Sequence, residues 1–124
     1  MLATLQLRPS LETLMAGADD FRRIALSFPG AEEKAHMGHP DFRVGGRIFA
    51  TLHAAEKGTG AVMLTPEQQE LALEAEPEAF APAAGAWGRG GSTVVRLDAI
   101  SDDWLERVLE WAWTKRAPGK GQSL

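Results

Sequence analysis

The sequence predicts an α+β fold, in which helices pack on one face of an antiparallel sheet of four to five strands. One observation behind this prediction is a pair of alternating runs over residues 40–53, which meet at Gly45-Gly46 in the pattern of a β-hairpin. Another is the order of elements: a helix, three or four strands, a helix, a strand and a final helix. Because the strands are grouped rather than alternating with helices, an antiparallel sheet is favoured over a parallel one.

The composition is that of a globular domain, with 44% hydrophobic and 24% charged residues in a chain of 124. We predict an N-terminal extension over residues 1–16, a single domain over residues 17–118 and a polar tail over residues 119–124. The absence of cysteine excludes disulfides and thiolate chemistry and fits a cytoplasmic protein. The formal net charge is −4, whereas nucleic-acid-binding domains are usually basic. No apolar run reaches the roughly 18–20 residues of a membrane span.

The loop of the hairpin decides which side chains share a face of the sheet. A two-residue loop would place Val44 opposite Arg47 and mix apolar with charged residues, whereas a three-residue loop places Phe42 opposite Ile48. We predict the three-residue loop, because a one-residue slip exchanges the two faces of a strand. The predicted buried face comprises Phe42, Val44, Ile48, Ala50 and Leu52. The predicted open face comprises Asp41, Arg43, Arg47, Phe49, Thr51 and His53.

The first helix is predicted to begin at Asp19-Asp20, because an acidic pair caps a helix and suits the positive end of its dipole. Phe21, Ile24 and Phe28 follow at helical spacing, and Pro29-Gly30 ends the helix. A short extended stretch is predicted over residues 34–38. These signals place one amphipathic helix immediately before the strands.

Local signals also define the second half of the chain. Residues 61–64 form a predicted strand, and Thr65 with Gln68 makes the capping-box pattern of a second helix. Its predicted inward residues are Leu71, Ala72 and Ala75. Residues 81–91 predict a glycine-rich loop that Trp87 anchors to the core.

The last strand is predicted over residues 92–97, and Ser101 begins the longest helix. Lys115 and Arg116 lie in the last turn of that helix, where cations suit the dipole. The predicted core stripe of the helix comprises Trp104, Leu105, Val108, Leu109, Trp111 and Ala112.

Four segments resemble the MmcQ/YjbR-like family, and the resemblance extends over residues 19–118. The segments are residues 20–33 (DFRRIALSFPGAEE), 42–50 (FRVGGRIFA), 64–68 (LTPEQ) and 85–88 (GAWG). The resemblance implies a fold of the CyaY/frataxin type, with a two-winged sheet that is described as DNA-binding. Relatives often carry a basic residue and a tryptophan after the Trp-Gly pair, whereas here Arg89 is followed by Gly90, Gly91 and Ser92.

Basic and aromatic residues near the hairpin are the candidate ligand contacts. The predicted anion contacts are Lys34, Arg43, Arg47 and Arg89. Guanidinium groups bind phosphate through paired hydrogen bonds, and Trp87 and Phe49 could offer rings on which bases stack. The alternative is that the two sheet arginines only solubilise the sheet and pair with Asp41 or Glu33.

The sequence contains few signals of catalysis or metal binding. Its histidines, His36, His39 and His53, match no established ligand spacing and are only weak metal candidates. The glycine-rich residues 85–92 lack the Gly-Lys-Ser/Thr ending of a phosphate-binding loop. No serine has the context of an activated nucleophile. We therefore predict a protein that is not an enzyme and needs no cofactor or metal.

The resemblance and the open face together predict a non-catalytic DNA-binding protein, whose binding is weak and salt-dependent, with no membrane partner. The alternative is that the same face binds a small ligand or a protein and no nucleic acid. A deep pocket around Trp87 and Arg43 would favour that alternative, because small-molecule sites are concave.

Overall fold

The structure, a computed structural model, describes residues 11–54 and 57–118, with side chains for residues 17–52 and 57–118. The predicted tail and the first ten residues of the predicted extension lie outside the described residues. In chain order, the elements are α1 (Leu11–Ser27), β1 (Glu32–His36), β2 (His39–Val44), β3 (Arg47–Ala54), β4 (Thr59–Met63), α2 (Pro66–Ala75), β5 (Phe80–Pro82), α3 (Gly85–Arg89), β6 (Ser92–Arg96) and α4 (Asp102–Arg116).

The strands form one antiparallel sheet in the order β1-β2-β3-β4-β6-β5. The α+β class is therefore confirmed, and the sheet has six strands rather than four or five. The strand that the sequence does not reveal is β5, whose three residues lie at the edge of the predicted glycine-rich region. Within the described part of the chain, no helix is long and apolar enough to cross a bilayer.

Helices α1 and α4 pack against one face of the sheet and form the core with it. Phe21 of α1 lies beside Phe42 of β2, with ring centroids 6.0 Å apart, and both side chains are fully buried. The two helices are joined where Phe28 stacks on Trp113 at 5.8 Å and the Trp113 Nε1–H donates to the carbonyl oxygen of Pro29 at 2.9 Å. The buried residues of α4 are Leu105, Val108, Leu109 and Ala112.

The predicted three-residue loop between β2 and β3 is wrong. Val44 pairs with Arg47, so the loop is the two residues Gly45-Gly46, with φ values of 59° and 80° that both lie in the left-handed region. A bulge follows, because Arg43 pairs with Ile48 but Phe42 pairs with Ala50. The strand thus gains one unpaired residue, Phe49.

This bulge reverses two predicted orientations. Phe49, which the prediction placed on the open face, is fully buried in the core. Ile48, which the prediction placed in the core, is half-buried on the open face beside Arg43. The bulge lets β3 keep an apolar ring inside while the strand still reaches the two-residue turn.

Other predicted boundaries also change. Helix α1 begins at Leu11, so the predicted helix start at Asp19-Asp20 is wrong, and part of the predicted extension is helical. Thr65 does cap α2 with the predicted capping box. However, Leu71 is 52% exposed, because α2 turns Ala72 and Gln69 toward the sheet instead. Ala75, also predicted to face inward, is exposed.

Candidate functional site

The open face of the sheet carries a cavity of about 720 Å³. Its floor follows a row of paired residues across three strands: Thr51 pairs with Ala61, which pairs with Val94. Thr51 and Ala61 on this floor are buried. The apolar lining comprises Ile48, Ala61, Met63, Ala83, Ala84 and Val94. The open face is therefore concave and partly apolar rather than a flat polar surface.

Three arginines line this cavity, and they come from three elements. Arg43 lies on β2, Arg47 follows the hairpin turn on β3, and Arg116 ends α4. Arg47 and Val44 form the pair that flanks the turn. Although Val44 is a core residue, the side chain of Arg47 lines the same cavity as that of Arg43. The lining includes no carboxylate among the described residues. In a chain whose net charge is −4, this is a local concentration of positive charge.

A buried carboxylate fixes the first of these arginines. The Asp41 side chain is fully buried and accepts hydrogen bonds from Arg43 Nε at 2.7 Å and Arg43 Nη2 at 3.0 Å. These hydrogen bonds are the main cause that holds the pKa of Asp41 below its ordinary value, while burial of the carboxyl group opposes the shift. The predicted alternative pairing of Arg43 with Asp41 is therefore present, whereas Glu33 pairs with Arg22 instead.

The same carboxylate also holds a histidine at the cavity. Asp41 Oδ2 lies 2.8 Å from His36 Nδ1, and the half-exposed ring of His36 lines the cavity. An imidazole whose Nδ1–H donates to a carboxylate presents its other nitrogen as an acceptor when it is neutral. Asp41 therefore orients two cavity side chains at once.

The end of α4 brings one further cation, Lys115, to this region beside Arg116. Lys115 Nζ donates to the carbonyl oxygen of Leu64 at 2.9 Å. Burial is the main cause that lowers the pKa of Lys115, and the charges of Arg116 and Arg47 lower it further. The Nε of Arg116 is buried and has no hydrogen-bond partner among the described residues. Arg47 and Arg116 have no carboxylate within 4.0 Å in the described part of the chain.

Helix α3 presents an aromatic ring at the rim of the cavity. Trp87 is 75% exposed and lines the cavity, so its predicted role as a core anchor is wrong. Gly88 explains the position of the helix, because a Cβ there would lie 1.8 Å from the carbonyl oxygen of Ala83. The backbone of α3 thus sits directly on the chain after β5, and this contact leaves Trp87 facing outward.

The predicted ligand contacts divide into two groups. Arg43, Arg47 and Trp87 meet at the cavity, whereas Lys34 and Arg89 do not line it. Lys34 lies on the edge strand β1, 3.9 Å from a carboxylate oxygen of Glu32, and Arg89 is exposed in the last turn of α3. Phe49 is buried, so its ring cannot stack on a ligand.

The histidines do not come together as a metal site. His36 is bound to Asp41, His39 is exposed at the β1–β2 turn, and the side chain of His53 lies outside the described residues. Among the residues that the structure describes, no group of three or more His, Asp or Glu side chains is arranged to hold a metal ion.

Sequence reasoning missed Arg116 as a cavity residue. It placed Arg116 correctly at the end of the last helix, but nothing in the sequence shows which strand that end contacts. The contact is set by tertiary packing: a Cβ on Gly45 would lie 2.7 Å from Pro118, so the chain after α4 passes against the hairpin turn. Glycine pairs at turns and charged residues at helix ends are both common in sequences. Their presence in one chain therefore does not reveal that the two segments are in contact.

The arrangement is suited to binding an anion with an apolar portion. Guanidinium groups offer charge and paired donors, and the apolar floor and Trp87 offer a surface for a ring or chain. The described residues that line the cavity include hydroxyls, a histidine and arginines, which can all hydrogen-bond to such a ligand.

A solved structure of another protein has a fold similar to that of this chain. A crystal structure described as Deinococcus radiodurans protein DR2400, a domain of the DUF419 type, has a TM-score of 0.67 to this chain. The two share 20% sequence identity, and the similarity covers 79% of this chain and 76% of that one. Among curated proteins, none matches the sequence at a significant level. The YjbR family model matches residues 26–115, and the chain therefore belongs to the YjbR family.

Proposed function

We propose that this protein is a non-catalytic binding module that holds a small anionic ligand in the cavity on the open face of its sheet. The observation that carries the proposal is the meeting of Arg43, Arg47 and Arg116 around a concave, partly apolar site. The volume of about 720 Å³ lies within the range of roughly 300–1,000 Å³ usual for small-molecule sites. The absence of cysteine supports a cytoplasmic location for this binding.

The charge distribution supports a small ligand more strongly than a duplex. Outside the cavity, Lys34 is paired with Glu32, and α2 carries Glu67, Glu70 and Glu74 on its exposed side. A long polyanion needs cations along an extended path, and each neutralised phosphate adds to its affinity. Here two guanidinium groups without a carboxylate partner among the described residues, those of Arg47 and Arg116, converge on one site instead.

DNA is the second candidate, and one observation favours it. Trp87 is 75% exposed beside the arginines, and an exposed ring next to cations is the usual platform for an unpaired base. The family resemblance implies the same partner. Single-stranded DNA would use Trp87 and the cavity cations, with α2 turned away from it.

One binding experiment separates the two candidates. We would titrate the protein with 1-naphthyl phosphate, and separately with labelled single-stranded and duplex DNA at two salt concentrations. The matched variants are Arg47→Gln/Arg116→Gln, which changes the cavity, and Arg89→Gln, which removes an exposed arginine outside it. We expect naphthyl phosphate to bind, the double variant to weaken it more than about tenfold, and Arg89→Gln to leave it unchanged.

The DNA arm has a quantitative signature. If DNA is the ligand, its affinity will fall with salt with a slope near −0.9 per neutralised phosphate on a duplex, or about −0.7 on a single strand. DNA binding that the double variant removes, together with no binding of naphthyl phosphate, would replace the first proposal with the second. No binding of either ligand at low salt would contradict both.

A further inference from the structure

We propose that the anion held in the cavity is a phosphomonoester dianion carried by a planar or apolar body, the chemistry of an aryl or nucleoside monophosphate. This inference rests on the proposed function and narrows it to one class of ligand. It favours a terminal phosphate, which carries two charges, over three other anions that carry a single charge per group. These are carboxylates, sulfate esters and the phosphodiesters of a nucleic-acid strand.

The first argument is the number of uncompensated charges. Arg43 is neutralised by the buried carboxylate of Asp41, which takes two of its donor nitrogens. Arg47 and Arg116 have no such partner among the described residues, so the cavity keeps two guanidinium charges. A dianion neutralises both charges, whereas a monoanion leaves one guanidinium uncompensated.

The second argument is an unused donor. The Nε–H of Arg116 is buried without an acceptor, and a buried donor that is left unsatisfied destabilises the protein. A bound phosphate has three terminal oxygens to accept hydrogen bonds, which is enough for Arg116 and Arg47 together. The described chain therefore provides no acceptor for this donor, which belongs to a side chain that lines the cavity.

The third argument is the mutual repulsion of the cations. Burial is the main cause that lowers the pKa of Lys115, and the nearby charges of Arg116 and Arg47 lower it further. Clustered like charges without an anion between them are unfavourable, and a doubly charged ligand relieves that repulsion most.

The body of the ligand is indicated by the other side of the cavity. Trp87 presents an exposed indole, and Ile48, Met63 and Val94 provide apolar contacts. Ser92 also lines the cavity, and its hydroxyl donates to the Met63 thioether at 3.8 Å, a weak acceptor. A planar ring against Trp87, with its phosphate directed to the arginines, uses both sides of the site.

The test compares ligands that differ only in the charged group. We would measure the affinities of 1-naphthyl phosphate, 1-naphthyl sulfate and 1-naphthol at pH 7.5 by isothermal titration calorimetry. The phosphate is expected to bind at least about tenfold more tightly than the sulfate, and the naphthol more weakly than either. Equal affinities for phosphate and sulfate would overturn the inference and leave the proposed function intact, whereas no binding of any ligand would overturn both.

Two variants and a control locate the preference. Arg116→Gln removes the unused donor, and Arg47→Gln removes a cation from an exposed side chain that contributes little to folding. Each is expected to reduce the phosphate-to-sulfate ratio to within about threefold of unity, whereas Arg89→Gln should preserve the ratio. If Arg116→Gln fails to fold, Arg47→Gln alone decides, and an unchanged ratio in that variant contradicts the inference.

The pH dependence provides an independent readout from the ligand itself. A phosphomonoester loses its second charge below pH about 6, whereas a sulfate ester keeps one charge throughout. The titratable or charged side chains that line the cavity are His36, Arg43, Arg47 and Arg116, and Asp41 and Lys115 lie next to them. Any change in the charge of the protein acts on both ligands, so the ratio of the phosphate and sulfate affinities is the informative quantity. We expect the ratio to fall between pH 7.5 and 5, and a constant ratio would overturn the assignment of a dianion.

Discussion

On the helix-covered face of the sheet, side chains are held by apolar packing, whereas on the open face one buried carboxylate holds two charged or polar side chains by hydrogen bonds. Phe42, Val62 and Val95 are buried beneath the helices without a polar partner of their own. On the other face, Asp41 fixes both Arg43 and His36. The same sheet therefore has one face that provides stability and one that provides a site.

The comparison shows why the two faces respond differently to change. Removing an apolar side chain from a core leaves a cavity, whose cost grows with its size. Removing a polar side chain from the open face leaves its partner without a hydrogen bond, and the cost depends on burial of that partner. Substitutions at neighbouring positions of one strand can therefore separate the two effects.

The largest expected effect is at the β3 bulge, where adjacent residues belong to opposite faces. Phe49→Ala is expected to lower the free energy of unfolding by about 3–5 kcal/mol, because its ring is fully buried. Ile48→Ala, the matched control, should cost about 1 kcal/mol because Ile48 is half-buried at the cavity. Urea unfolding followed by circular dichroism measures both, and a larger loss for Ile48→Ala would show that the two residues face the other way.

This bulge marks the limit of what the sequence reveals about the fold. Alternation over residues 40–53 and Gly45-Gly46 were enough to predict the hairpin and its burial of Phe42, Val44, Ala50 and Leu52. A two-residue turn alone would place apolar residues of β3 on the open face, and the bulge at Phe49 restores them to the core. Neither feature is predicted from the alternation unless both are considered together. A pairing rule applied to the whole strand therefore selected a loop one residue too long.

An intermediate effect is expected at Asp41, which joins the site to the stability of the sheet. Asp41→Asn should lower the free energy of unfolding at pH 7 by about 2 kcal/mol, because hydrogen bonds to charged groups contribute roughly 1.5–3 kcal/mol. The pKa of Asp41 is lowered in the folded protein, chiefly by Arg43, so the carboxylate stabilises the fold above the ordinary titration range of aspartate. This stabilisation is lost as the pH falls below about 4 and through the lowered pKa.

The measurement is urea unfolding of both proteins at pH 7, 5 and 3. The difference in unfolding free energy between wild type and Asp41→Asn should be largest at pH 7 and 5 and smaller at pH 3. A control is Asp20→Asn, whose carboxylate is about half exposed and pairs with Arg23 on the surface. Parallel pH profiles for wild type and Asp41→Asn would show that the Asp41–Arg43 pair does not contribute in this way.

The candidate site was only partly predictable, for reasons that concern specific residues. Arg43 and Trp87 could be chosen from the sequence because a cation on a polar strand face and an aromatic residue among glycines are unusual. Arg116 could not, because it reaches the cavity only through the packing of the chain after α4 against Gly45. Lys34 lies near the hairpin in the sequence and Arg89 lies near Trp87. However, Lys34 is on the edge strand β1 and Arg89 is at the end of α3, and neither residue lines the cavity.

The smallest expected effect on stability is at Trp87, whose exposed ring on the open face can be compared with the ring of Trp113 on the helix-covered face. Trp87→Ala should change the free energy of unfolding by less than about 0.5 kcal/mol, because the indole is 75% exposed, whereas Trp113→Ala should cost about 3 kcal/mol. Trp113 is the control because it stacks on Phe28 and donates to Pro29. Removing an exposed indole should also shift the mean tryptophan emission toward shorter wavelength. A large loss of stability in Trp87→Ala would mean that α3 needs the ring for packing. A stable Trp87→Ala variant that no longer binds naphthyl phosphate would show that the ring contributes to ligand binding and not to the stability of the fold.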